Sequence, residues 1–177
     1  ASLWGFWTET WAGRTLVEDA AIEPSDPMQF YRVEEYVSDA LAGRLCGKWT
    51  PFQVAALLND LADRTGELVR QLEAGNAQDP ELAGALMDFA ITAGLARYHA
   101  LRLQATTHLA IHRGQPDTER VKRALELMCS SRNEWESIVE HAKPYHDDLV
   151  FGRESFRHVG HWRDWFDVID KDIESLR

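Results

Sequence analysis

Residues 80–114, PELAGALMDFAITAGLARYHALRLQATTHLAIHRG, decide the fold. Asp79 stands at an N-cap position, Pro80 takes the first helical place, and no breaker follows before Gly114. The stretch therefore reads as one helix of about ten turns at 3.6 residues per turn. One apolar stripe along it is Leu82, Leu86, Phe89, Ala93, Ala96, Ala100, Leu103 and Thr107. A second is Ile91, Leu95, Tyr98, Leu101, Ala105, His108 and His112. A helix apolar on two faces is packed on two sides, so this one is central. Gly84 and Gly94 within it cost stability unless they admit a neighbouring helix closely.

Toward the N-terminus, Thr50, Pro51 and Gln53 form an N-cap, a first-turn proline and a capping box. They open a helix with Val54, Leu57, Leu58, Leu61, Leu68 and Leu72 as its stripe, stopped by Gly75 and Asn76. Before it, residues 28–46 carry Phe30, Val33, Val37, Leu41 and Leu45 at helical spacing, with Gly47 as the expected cap. Toward the C-terminus, a helix runs from Asp117 to Ala142 with Val121, Leu125, Met128, Trp135, Ile138 and Val139 on one face, and Pro144 ends it. Trp162, Trp165, Phe166, Ile169, Ile173 and Leu176 mark a fifth. Short connections make neighbours antiparallel. The expected fold is an all-α, up-and-down helical bundle of about five helices spanning residues 28–177.

Residues 1–27 differ in kind. Trp4, Trp7 and Trp11 crowd into eleven positions, Pro24 and Pro27 follow, and no helical stripe is sustained. An irregular tryptophan-rich segment must bury its indoles over the bundle or against a neighbouring domain or subunit. The chain starts at Ala1 with no apolar signal core, which reads as a processed chain or part of a longer one.

The 29 acids against 19 basic residues leave a net charge of -10, which repels nucleic acid. No apolar run approaches the ~20 residues that span a bilayer, so the chain reads as soluble and without a membrane partner. Cys46 and Cys129 lie far apart within predicted helices and read as buried thiols.

Three constellations could carry chemistry. His108 and His112, four apart on a helix, could share a metal, but Leu109 stands where a zinc protease needs glutamate, and the ExxH pairs of di-iron bundles are absent. The loop YHDDLVFGRESFRHVGHW, residues 145–162, offers His146, Asp147, Asp148, His158 and His161 as ligands for a divalent metal. An antiparallel helix of ~26 residues, about 39 Å long, should separate that loop from His112. The loop reads more simply as a strap, turned by Asp147 and Asp148, plugged by Leu149, Val150 and Phe151, and relaxed by Gly152. Third, Trp4, Trp7 and Trp11 could stack on the C–H faces of a glycan, with burial at a junction as the simpler account. No nucleophile motif or phosphate-binding loop occurs.

The strings YHDDLVFGRE and GHWRDWFDVIDKDI, with FYRVEEYVSDALAGRLCGKWTPFQVAALLNDLAD, resemble accessory helical domains near the C-terminus of large bacterial proteins of the glycoside-hydrolase type, over most of residues 30–175. The resemblance implies a bundle beside a catalytic barrel, a secreted or periplasmic setting, and no catalytic residue here. The function expected is a non-catalytic helical module with a structural or interaction role and no cofactor. The alternatives are a metal-binding bundle or metal-dependent enzyme, and a glycan-binding module.

Overall fold

The structure, a computed structural model, describes residues 15–75, 80–145, 150–151, 158–159 and 161–177. These form six α-helices: α1 (Leu16–Ala20), α2 (Val33–Leu41), α3 (Pro51–Gly75), α4 (Pro80–Gly114), α5 (Thr118–His141) and α6 (Phe166–Glu174). A 3-10 turn, Trp162–Trp165, leads into α6. Strands β1 (Val150–Phe151) and β2 (His158–Val159) form a two-residue antiparallel ladder in which Val150 faces Val159 and Phe151 faces His158. No helix among the described residues is long and apolar enough to cross a membrane.

The long central helix is α4. Asp63 pairs with Arg97 and Phe52 with His108, so α3 and α4 run in opposite directions. On the other side Trp135 meets Tyr98, and Ile138 meets Gly94, so α5 runs opposite to α4 as well. The core between them joins Ile91, Leu95, Tyr98 and Ala105 of α4 to Leu127, Met128, Trp135 and Ile138 of α5, with Leu16, Trp162, Ile169 and Ile173 closing it. The buried Trp135 indole N–H donates to the Trp162 carbonyl at 2.8 Å, so this large apolar side chain is also satisfied as a donor. A smaller cluster of Ala20, Val33, Val37 and Ala110 seats α2 on α4.

Local chemistry explains the helix starts. Thr15 and Glu18 cap α1 reciprocally, and Thr50 and Gln53 do the same at the start of α3. The α1 helix and its buried Leu16 lie within the stretch expected to be irregular, where a single five-residue turn is too short to show a stripe. The first long helix is also shorter than its spacing suggests. Gln29 and Tyr31 pair with Trp49 through backbone hydrogen bonds of 2.7 and 3.0 Å, which holds residues 29–31 out of the helix. At its other end Gly43, at φ +66°, turns the chain four residues before Gly47. Cys46 consequently sits exposed in a loop and is not a buried thiol, while Cys129 is half-buried.

Two further expectations are corrected. The α3 helix packs through Pro51, Ala55, Ala62 and Val69, and its leucines Leu57, Leu61, Leu68 and Leu72 are 43, 49, 58 and 44% exposed. On α4, Phe89 is also exposed, at 55%. Small residues on α3 bring the two helices close, which turns the longer leucines away from the seam.

The interior of α4 holds one charge the apolar stripes do not announce. Arg102, 8% exposed, donates through Nε to Asp19 of α1 at 2.7 Å and through Nη1 to Asp172 of α6 at 2.6 Å. Desolvation of the site lowers its pKa, and Tyr98, Asp19 and Asp172 together outweigh that and hold it above the ordinary value.

Replacing Arg102 by Ala leaves two carboxylates buried without their counter-charge, and is expected to cost about 3–5 kcal/mol in urea unfolding. Changing Asp19, Arg102 and Asp172 together to Leu, Met and Leu is expected to cost less than the single change, because no unpaired charge remains. The two glycines of α4 should behave oppositely. A Cβ at Gly94 would lie 2.6 Å from Ile138 Cγ1, so Gly94→Ala should cost about 1–3 kcal/mol. At Gly84 a Cβ meets nothing within 4 Å, and Gly84→Ala should stabilise by about 0.4–1 kcal/mol in the same assay.

Candidate functional site

Helix geometry places His108 and His112 at one end of α5 and His161 at the other. His108, half-buried on α4, accepts from Arg120 Nη1 through Nδ1 at 3.1 Å and lies 5.4 Å from the Phe52 ring. His112, one turn on, accepts from the Asp117 backbone N–H through Nδ1 at 3.0 Å, which ties the end of α4 to the start of α5. Burial first, and then the cations Arg120 and Arg123, hold the His108 imidazole below its ordinary pKa.

His161 lies at the far end of α5. Its Nε2–H donates to the Ala142 carbonyl at 3.0 Å, and Nδ1 accepts from the Arg163 N–H at 3.2 Å. Asp164 completes a capping box by accepting from the His161 N–H at 2.7 Å. The 24 residues of α5 span about 36 Å at 1.5 Å per residue, and stand between this histidine and His112. His146, Asp147, Asp148, Leu149 and Gly152 lie outside the described residues, as do Trp4, Trp7 and Trp11; His158 contributes its backbone to β2. Among the described residues no three His, Cys, Asp or Glu side chains gather as a metal-binding group.

Two polar contacts lie beyond those candidates. The Tyr31 hydroxyl sits 3.1 Å from Cys46 Sγ and accepts the Cys46 backbone N–H at 2.7 Å. Lys48 stands 5.2 Å over the Tyr31 ring and pairs with Glu35 at 2.5 Å. The Tyr31 hydrogen bond first, then the Lys48 backbone N–H, favours the Cys46 thiolate. Near the loop, the Tyr145 hydroxyl donates to Asp88, and that bond with partial burial pushes its pKa up to about 12.

Among the described residues, α3 also exposes apolar side chains. At 100° per residue the exposed leucines of α3 form a stripe about 110° round the axis from its buried alanines. Asp60 and Arg64 pair on one flank of it at 2.9 Å, and Glu67 pairs with Arg70 at 2.6 Å farther round the helix, away from the leucines. Four leucines about half exposed amount to a few hundred Å² of apolar surface on one helix. Sequence reading placed these leucines in the core. The signal against that was the parallel series of Ala55, Ala62, Gly66 and Val69, which offers a second face better suited to close packing.

Comparison with known proteins finds no matching family model, curated protein or solved structure.

The lowered pKa of His108 sets a sign for pH dependence. The unfolded chain, with His near pKa ~6.5, binds more protons than the folded one, so stability rises with pH across this window. The contribution is complete above about pH 6.5 and is lost as pH falls through the lowered value. His108→Gln keeps an acceptor for Arg120 without titrating. Melting temperatures measured from about pH 7.5 to 5 should fall less steeply in that variant than in the parent.

Proposed function

We propose that this chain is an up-and-down helical bundle serving as a non-catalytic module, whose role is to hold a partner through the leucine face of α3. The exposed stripe Leu57, Leu61, Leu68 and Leu72 carries the reading. Against the described residues each of these leucines leaves about half of its surface in water, area that burial would stabilise at about 25 cal/mol per Å². Ordinary selection for a soluble surface disperses such residues; here they line one face of a 25-residue helix.

The buried charges support the same reading from the other side. Arg102, Asp19 and Asp172 are spent on one another at contact distance in joining three helices, and His161 is spent on closing the last turn. Groups committed to structure are poor candidates for turnover. A neighbouring domain of glycoside-hydrolase type, as the resemblance of residues 30–175 implies, is one partner such a face suits. The tryptophans of residues 1–14 suit the same kind of junction.

Changing Leu57, Leu61, Leu68 and Leu72 together to Gln tests whether the face is presented or used internally. As surface positions they should alter urea stability by no more than about 0.5 kcal/mol each. A loss of about 2–5 kcal/mol per leucine, the range for buried large side chains, would place them in the core and end this reading.

A further inference from the structure

We infer that Arg102 is a latch shared by α1 and α6, so that lifting α1 from the bundle loosens α6 and lifting α6 loosens α1. Neither helix has the means to hold alone. The α1 helix has five residues and α6 nine, both short of the ~12 at which an isolated helix begins to persist in water, so each depends on what it touches. They rest on different supports, α1 on α4 and α6 on α5. What they share is one guanidinium, which donates through Nε to Asp19 at 2.7 Å and through Nη1 to Asp172 at 2.6 Å.

The sharing makes the two helices interdependent through direction and through water. A guanidinium is a rigid planar fork, so the bond Asp19 accepts from Nε sets the plane in which Nη1 meets Asp172, and the reverse holds equally. The side chains of Arg102, Asp19 and Asp172 are only 10, 12 and 7% exposed, and charges at contact distance attract more strongly in such a site than in water. Departure of either helix opens the site and weakens the bond to the other. Leu16 of α1 and Ile169 and Ile173 of α6 lie in one buried cluster, so apolar packing acts with the same sign. Repulsion between the two carboxylates acts against it. That is the weaker effect here, because a guanidinium this deep must draw in water to replace a lost carboxylate, and the water competes with the carboxylate that remains.

Linkage makes the coupling reciprocal. Whatever factor the release of α1 multiplies the opening of α6 by, the release of α6 multiplies the opening of α1 by the same. A partner that lifts one helix is thereby felt at the other, although Asp19 and Asp172 stand far apart in sequence.

Amide hydrogen exchange of the intact chain, read by mass spectrometry on peptides from α1, α3 and α6, measures the local openings separately. Asp19→Asn should speed exchange in α6, and Asp172→Asn in α1, each by about fivefold or more, the lower end of coupling between sites, with α3 unchanged. The double substitution should speed either helix by less than the product of the two single effects, since one latch is undone only once. Arg102→Lys keeps the charge and loses the fork; it should free both helices, and it serves where a carboxylate variant is too unstable to measure.

If Asp19→Asn speeds α1 alone and Asp172→Asn speeds α6 alone, the helices are clipped independently and the proposal is overturned. Single effects that multiply in the double variant overturn it in the same way, as does loosening of one helix only under Arg102→Lys. A rise in α3 exchange equal to that in α6 would make the triad part of global stability, and the latch would be rejected on that ground.

Discussion

One buried guanidinium organises the ends of this chain. Arg102 lies well inside α4, and its two carboxylate partners are 83 and 70 residues away in sequence, on α1 and α6. A charge moved into a protein interior loses several kcal/mol of hydration, which attraction offsets only when partners stand at contact distance. Both carboxylates therefore have to be delivered. That requirement fixes the N-terminal turn and the last helix against the same level of the central helix, although neither is long enough to be stable alone. Apolar packing of Leu16, Ile169 and Ile173 supplies attraction without direction, and the ion triad supplies the direction.

The rest of α4 is divided by steric need. At Gly94 a missing Cβ lets Ile138 of α5 come within 2.6 Å of where that carbon would be. Along α3, Ala55 and Ala62 are fully buried and let that helix approach from the other side. Close approach through small residues leaves no depth in the seam for leucine. The apolar surface of α3 thus splits into a shallow inner face that holds the bundle together and a projecting outer one that does not.

Sequence periodicity gave the long helices, because thirty-five residues without a breaker and a reciprocal cap at Thr50 leave few competing structures. It failed where tertiary partners decide. The first long helix is truncated because Trp49 takes the backbone of residues 29–31 into an extended pairing, and a long-range hydrogen bond of that kind has no local signature. Arg102 was legible in retrospect. It and Arg97 are the sole formal charges between Asp88 and Arg113, and an arginine in such a stretch needs an acid from elsewhere. Which acid is a question of folding, not of spacing. The leucine face was misread for a related reason: periodicity reports that a helix has an apolar arc, and among the described residues the small residues of that arc, not its leucines, meet α4.

A polar cluster able to do chemistry has to keep some donor or acceptor uncommitted until substrate arrives. His161, Trp135 and Arg102 run the other way. His161 uses both ring nitrogens to join the end of α5 to the final turn, and Trp135 uses its indole N–H on the same junction. Arg102 satisfies two carboxylates at once. Each of these bonds secures a crossing between helices. Polar groups are thus spent on the crossings between helices, while Leu57, Leu61, Leu68 and Leu72 of α3 stay about half exposed.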